Sequence, residues 1–489
     1  MECKKIIIMG AGFSSLSASC YLAKMGYEVT ILEKNDTVGG RARQLKKDGF
    51  TFDIGPSFYW MPDVFDRFFG DFGKKTSDYY QLDKLNPGYQ AYFGKKDSIS
   101  IADNFEIVKE TFEKIEKGSG QQLQKFIDQA ETNYNIAIKD LVYKPGENIF
   151  EIVTKDSAKQ LWQFFSTIKK EVEKHVKNPN LKKILEFPVL FLGAKPSNTP
   201  AFYSFMNYAD LKLGTWHPQG GMYKVVEGMA SVAKELGVKI ITNKQVSEIV
   251  LADNMIKAIK SNEETYPCDL LLSGADYEHT ESLLPENLRQ YSAKYWDKKT
   301  FAPSALLFYV GFDKKIEQTS HHTLFFDASF DKHAATIYDT KEWPEDPLFY
   351  VSFPSKTDNS CAPEGKEAAV FLIPLAPDLE DTEELRDKYF NIVVDRLEKN
   401  TEQTVKEHIL FKESYCVNEF KEDYNAYKGN AYGLANTILQ THILRPKLRS
   451  KKVKNLYFTG QLTVPGPGVP PSLISGKIVS DLIKKKHSS

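Results

Sequence analysis

The hydrophobic pattern changes period several times along the chain, and each change marks an element. Residues 6–9, Ile-Ile-Ile-Met, form a short continuous apolar run that stops at Gly10, the pattern of a strand covered on both faces in a parallel sheet. A helix is expected from there to about Met25, closed by Gly26, with a second strand over 27–32. The far end repeats the scheme. Residues 456–459 read as a strand entering Gly460, a stiff loop of glycines and prolines follows, and the last helix carries Gly476 inside it. In the middle, residues 217–237 read as a glycine turn and an amphipathic helix, 239–259 as a β-hairpin, and 268–276 as a strand returning to the parallel sheet. Four more strand-like runs, at 304–312, 322–328, 346–353 and 368–376, indicate a mixed or antiparallel sheet. Residues 96–214 are mostly helical by pattern, and no internal repeat is visible.

The glycines at the strand ends carry the candidate chemistry. Gly10 and Gly12 let the backbone turn sharply and approach a pyrophosphate at a helix N-terminus, whose free N–H groups and dipole favour an anion. Glu33 follows Gly10 by 23 positions, where a carboxylate accepts the hydroxyls of an adenosine ribose and repels a 2′-phosphate. Ser15 stands where the third fingerprint glycine is expected. Alone, this stretch also fits a tight turn between any strand and helix, though less well than the cofactor turn. The context is Gly39-Gly40-Arg41 and then Phe52-Asp53-Ile54-Gly55-Pro56: two glycines that bring backbone near a cofactor, and a planar guanidinium fork suited to phosphate oxygens.

Together these residues resemble the FAD-binding start of the amine oxidase and carotenoid desaturase superfamily. Residues 55–73, 427–446 and 458–476 extend the likeness over nearly the whole chain, toward the bacterial phytoene desaturase type. The resemblance implies an α/β fold: a Rossmann-like FAD-binding domain (1–95, 215–285 and 445–489) with a discontinuous α+β substrate domain (96–214 and 286–444). It carries cofactor contacts onto Phe13 and Ser14 beside the first glycines, Lys34 after Glu33, Gly40, Gly55 and Pro56. At the other end it carries them onto Gly460, Gly468, Val469 and Pro470, a turn whose following helix would stabilise negative charge on reduced flavin. Val246 falls where the family places an adenine contact, and a core-strand role fits it as well.

The reaction so implied removes hydrogen from an apolar polyene: hydride passes to flavin N5 and a proton leaves the neighbouring carbon. Oxygen or a membrane quinone would reoxidise the flavin. No residue stands out as catalytic acid or base. Gln461 replaces the acidic residue usual in amine oxidases, and the last cysteine, Cys416, is far from the terminal motif, so the FAD is expected to be non-covalent. Alternatives are a hydroxycarotenoid 3,4-desaturase, a carotenoid isomerase, a retinol saturase-like enzyme or an amine oxidase. A flavin-less prenyl-binding chaperone shares the fold, and the intact Gly10, Gly12, Glu33, Gly40 and Arg41 speak against it.

Composition narrows the rest. A net charge of −1 over 489 residues offers no basic excess for nucleic acid. Five cysteines without a Cys-x-x-Cys pair, and nine scattered histidines of which only His321 and His322 are adjacent, suggest a reducing compartment and no metal. No signal peptide is expected, because the first apolar run is the first cofactor strand, and cytoplasmic residence follows. No apolar run approaches the ~20 residues of a membrane span. Residues 161–177 set Trp162, Phe164 and Phe165 near lysines, a composition that suits either peripheral contact with a membrane surface or a helix with a buried aromatic face. The aromatics Phe58, Tyr59, Trp60, Phe65, Phe68 and Phe69 read as an apolar wall beside the flavin or as ordinary core.

Overall fold

Five short strands form an all-parallel sheet in the order Leu456–Phe458, Leu270–Ser273, Lys5–Met9, Glu28–Leu32, Lys239–Ile241. The computed structural model that shows this describes residues 4–139, 141–152 and 161–487. Helices, among them Phe13–Lys24 and Tyr223–Glu235, cover one face of the sheet, and the antiparallel strands Val246–Ala252 and Met255–Ser261 with Tyr277 and Trp296 cover the other. This is why Ile6, Ile8, Leu271, Leu272 and Leu456 are all fully buried and why the strands read as unbroken apolar runs. The helix Phe13–Lys24 packs directly on the C-terminal helix Val469–His487. Small residues allow the approach. A Cβ on Gly476 would lie 2.5 Å from the Ser14 carbonyl oxygen and 2.7 Å from the Ala18 nitrogen, and Ser17 Oγ donates across the contact to the Leu473 carbonyl at 2.7 Å.

The serine in the third fingerprint position is accommodated from the other side. Ser15 is fully buried against Gly274, and a Cβ on Gly274 would collide with the Ser15 hydroxyl. The space that a glycine usually supplies on the helix is supplied here by a glycine on the facing strand end.

A seven-stranded sheet makes the second half, in the order Ile409–Tyr415, Ser304–Phe312, Glu367–Leu375, Phe349–Ser352, His322–Phe325, Tyr89–Gly94, Asp97–Ile101. All its pairings are antiparallel except that of His322–Phe325 with Tyr89–Gly94. The helix Glu383–Thr401 closes one face, burying Phe390, Val393 and Leu397 against Phe308 and Phe371. The other face looks into a cavity. Tyr89–Gly94 falls inside the first cofactor segment expected from the sequence, yet it hydrogen-bonds into this sheet; a short strand whose partner lies more than 200 residues away leaves no local mark of its allegiance. The 239–259 hairpin divides as well. Lys239–Ile241 joins the parallel sheet, while Val246–Ala252 pairs with Met255–Ser261, and that strand with Glu264–Pro267, in a separate antiparallel sheet.

Helices from the 96–214 stretch, chiefly Phe105–Ile115 and Ser119–Lys139, form a third layer; residues 153–160 of that stretch lie outside the described residues. The 161–177 segment is not one helix. Leu161–Phe164 is a short 3₁₀ turn, and Thr167 then caps the helix Ile168–His175 by accepting from the Lys170 N–H. The break sends Phe164 inward, stacked on Phe202 at 4.6 Å, and leaves Phe165 84% and Trp162 47% exposed. Among the described residues no helix is long and apolar enough to cross a membrane.

Candidate active site

A single cavity of about 810 Å³ takes lining residues from both sheets and from the helical layer. Its first part is built of backbone. Gly10, at φ +88°, ends the first strand, and its N–H donates to the Leu32 carbonyl at 2.8 Å. Gly12 caps the helix Phe13–Lys24 with no side chain bonded to the first turn, so the N–H groups of that turn are free to meet an anion. The second glycine loop lies directly on the first. Gly39 N–H donates to the Ala11 carbonyl at 2.8 Å, and a Cβ on Gly40 would approach Gly12 Cα to 3.3 Å. Gly55 in turn sits so tightly on Arg41 that an added Cβ would run into the Arg41 carbonyl.

Two charged side chains face this backbone nest. Glu33, 4% exposed, accepts from the Ala11 N–H through Oε2 at 2.6 Å and from Asn35 through Oε1 at 2.9 and 3.0 Å. It therefore holds the glycine turn in shape while lining the cavity. Arg41 lies 4.9 Å above the Tyr424 ring. Its Nη2 donates to the Asn430 carbonyl at 3.2 Å, and its Nε is buried with no partner among the described residues. Burial lowers the guanidinium pKa, and Tyr424 and Asp276 oppose this. Gln461, with its amide oxygen turned inward, accepts from Arg41 Nη2 and the Gly433 N–H, each at 3.2 Å. A neutral amide beside a buried, under-bonded guanidinium leaves the positive charge available to a phosphate.

At the C-terminal motif Gly460 and Gly468 both have positive φ, +105° and +115°. Pro470 and Pro471 occupy the first turn of the last helix and have no N–H, which leaves Val469 as the donor that this turn offers the cavity. The cavity brings together every cofactor candidate that the sequence suggests: Gly10, Gly12, Phe13, Ser14, Glu33 and Lys34; Gly40, Arg41, Gly55 and Pro56; Val246; Gly460, Gly468, Val469 and Pro470. Val246 is 4% exposed in a core with Ile7 and Leu32 and also lines the cavity. Sequence reasoning misses Tyr424, which arrives from a distant helix. It also misses Asp276, although the strand ending there is recognisable: the Asp276 carboxylate accepts from the Glu278, His279 and Tyr427 N–H groups. The donor set fits a dinucleotide: a ribose acceptor, a free helix N-terminus and an under-bonded arginine.

Beyond Pro56 the lining turns apolar. Of the aromatic cluster, Phe58 and Trp60 face the cavity, while Tyr59, Phe65, Phe68 and Phe69 are buried in the core beneath. Leu307, Leu324, Phe326, Leu348 and Leu372 come from the larger sheet and its approaches, and Phe187 and Phe202 from the facing side. Lys195 pairs with Asp339 at 2.6 Å and Lys169 with Asp331 at 3.5 Å, both among the lining residues. Glu186 joins them with its pKa pushed up to about 7 by burial. The four described cysteines, Cys20, Cys268, Cys361 and Cys416, are buried and line no part of the cavity; Cys3 lies outside the described residues. The fold also assembles His217, Asp358 and Cys361, whose ligand atoms lie within 4.8 Å of one another. Their scattered sequence positions give no sign of this. Asp358 is already engaged there by His217, Gly220 and Ser360.

A parallel sheet with two glycine loops and an under-bonded arginine, opening into an apolar chamber, defines an FAD-dependent oxidoreductase. The chain belongs to the flavin-containing amine oxidoreductase family, which matches residues 13–484, and to its carotenoid desaturase branch. It is 40% identical to a carotenoid 3,4-desaturase of Haloarcula japonica over 98% of this chain and 97% of that one. It is 32% identical to a 4,4′-diapophytoene desaturase (4,4′-diaponeurosporene-forming) of Staphylococcus aureus over 98% and 99%. The fold is similar to that of an oxidoreductase from Methanosarcina mazei, with a TM-score of 0.63 at 16% identity over 98% and 100% of the two chains.

Proposed function

We propose that the chain desaturates a carotenoid precursor of the phytoene type, with non-covalently held FAD accepting the hydride. The observation that carries this reading is the junction itself: a dinucleotide nest opening without a partition into a chamber walled by leucines and aromatics. Glu33 would bind the adenosine ribose, Arg41 and the helix at Phe13 the pyrophosphate, and Val469 the flavin end. Bound FAD supplies a two-electron acceptor. The protein's share is to hold a polyene carbon against it in a dry space, where orientation and water exclusion account for much of the rate. Reoxidation falls to oxygen or a quinone.

An apolar polyene must come from a bilayer. Trp162, Phe165, Leu439 and Leu444 are exposed and neighbour in sequence the lining residues Phe164, Thr441 and His442, which makes a peripheral membrane face at the chamber's mouth the natural entry. The relative's 3,4-desaturase activity favours a second reading, late desaturation of a hydroxylated carotenoid, and the polar groups Glu186, Lys169 and Lys195 among the lining residues would suit a hydroxyl. Co-expression with a phytoene-producing pathway decides between them. Conversion of colourless phytoene to coloured polyenes supports the first reading; untouched phytoene with turnover of a hydroxylated carotenoid replaces it with the second.

A further inference from the structure

The adjacent histidines that the glycine motifs leave unexplained sit behind the apolar wall. His322 is fully buried at the start of the strand His322–Phe325, its ring stacked on Phe58 at 4.0 Å and 14°. Its Nδ1 is 2.5 Å from the Tyr350 hydroxyl, and Ser57 Oγ is 2.9 Å from the same hydroxyl. Both Ser57 and Tyr350 line the cavity, Ser57 directly after Gly55-Pro56, where the cofactor part gives way to the apolar part. His322 Nε2 is buried without a hydrogen-bond partner among the described residues. The imidazoles continue inward: His321 lies 4.4 Å from His322 and 4.6 Å from His217, ring centre to ring centre. His217 Nε2 ends the series 3.0 Å from the Asp358 carboxylate.

We propose that Tyr350, backed by His322, receives the proton that leaves the substrate as each double bond forms. This rests on the desaturase reading above. In the balanced step, one substrate C–H bond gives up hydride with its electron pair to FAD, which is reduced by two electrons. The C–H bond on the next carbon then breaks, and its electron pair becomes the second bond of the new C=C. The proton goes to Tyr350 Oη as the Tyr350 proton passes to His322 Nδ1, leaving an imidazolium.

A neutral hydroxyl–imidazole pair suits this place better than a carboxylate. An ionised acid beside a polyene would have to be held in an apolar chamber at a high desolvation cost. Burial, then the neighbouring His217, hold His322 well below the ordinary imidazole range, so it carries no charge at rest. A weak base is enough, because the carbon next to an allylic cation gives up its proton readily. Burial also raises Asp358, but hydrogen bonds from His217, Ser360 and Gly220 outweigh it, and its carboxyl stays ionised. That charge, beyond His217 and His321, favours positive charge in the imidazole cluster. Asp53 and Cys361 are the other titratable groups at the cluster. Asp53 already accepts from the Met222 and Tyr223 N–H groups, and burial keeps the Cys361 thiol protonated.

The test uses the FAD-loaded full chain with phytoene and a hydroxylated carotenoid in liposomes. Tyr350→Phe and His322→Asn should each slow substrate-dependent flavin reduction about 100-fold or more, with KM and FAD affinity near wild type. In the absence of substrate, imidazole ¹⁵N spectra should show the His322 Nδ1 acting as an acceptor beside that of His333, which accepts from the Leu348 N–H, and Tyr350→Phe should shift the His322 resonance alone. Flavin reduction within about twofold of wild type in Tyr350→Phe, or an imidazole spectrum indifferent to it, would overturn the proton transfer. A wild-type protein inactive on both carotenoids would instead overturn the desaturase reading, and the proton transfer with it.

Discussion

On the cofactor side of the cavity the inward-facing groups are mostly backbone, from Gly10 to Ser14, at Gly40, Gly55 and Gly468, with Glu33 and Arg41 as charged side chains among them. On the opposite side they are the side chains of the larger sheet, Leu307, Tyr350 and Leu372, with Phe58 and Trp60 at the seam. The first arrangement binds through N–H groups whose positions are set by the fold, so it tolerates little change in backbone spacing. The second excludes water by shape and can exchange one apolar side chain for another of similar volume at small cost. Damage to the first should therefore appear as lost FAD, and damage to the second as altered turnover with FAD retained.

The most severe break of that contrast is expected at a residue that touches no ligand. Gly476 lets the two helices of the cofactor half meet, and a Cβ there has rigid helix backbone at 2.5 and 2.7 Å. Gly476→Ala should cost stability toward the upper end of the ~1–3 kcal/mol typical of overpacking and should weaken FAD retention, because the shifted helix begins at the fingerprint. Thermal melting with and without added FAD measures both. A wild-type melting temperature would mean that the helix contact is slack.

Glu33→Ala and Arg41→Ala come next. Each removes a charge-assisted contact worth about 1.5–3 kcal/mol, so FAD should bind roughly ten- to a hundred-fold more weakly. Glu33→Ala also frees the Ala11 N–H that the carboxylate now holds, whereas Arg41→Ala leaves the turn intact; its loss should be recovered only in part by Arg41→Lys, which restores charge without the fork. Isothermal titration of the apoprotein reads these losses, and unchanged affinity in both folded alanine variants would move the pyrophosphate and ribose elsewhere in the cavity.

The same contrast explains which parts of the molecule are legible in the sequence. Gly10, Gly12, Glu33 and Arg41 lie within 32 residues and act through local backbone geometry, so their spacing alone reveals the nest. The terminal motif is readable for the same reason. The Tyr350, His322, His217 and Asp358 cluster comes from three separate segments, at 217, 322 and 350–358, joined only by strand pairing and loop packing, and a lone tyrosine or histidine in an apolar strand has no local signature. Tyr89–Gly94 escapes correct placement on the same ground, its sheet being chosen by a partner at Thr323–Phe325.

The smallest expected effect lies farthest from the nest. Phe165, at 84% exposure, and Trp162, at 47% with Lys174 Nζ 5.0 Å over its ring, stand on a turn that interrupts what would otherwise be one helix. If that turn rests in a bilayer, each ring contributes on the order of 1 kcal/mol to partitioning, less than full burial because only part of its surface leaves water. The double substitution Trp162→Ser and Phe165→Ser should then reduce co-sedimentation with liposomes by about an order of magnitude. FAD absorbance and melting temperature should stay at wild-type values, since neither ring supports the cofactor half. Loss of flavin together with membrane binding would show that the two halves are coupled more tightly than their separate walls suggest, while unchanged sedimentation would move the docking face away from this turn.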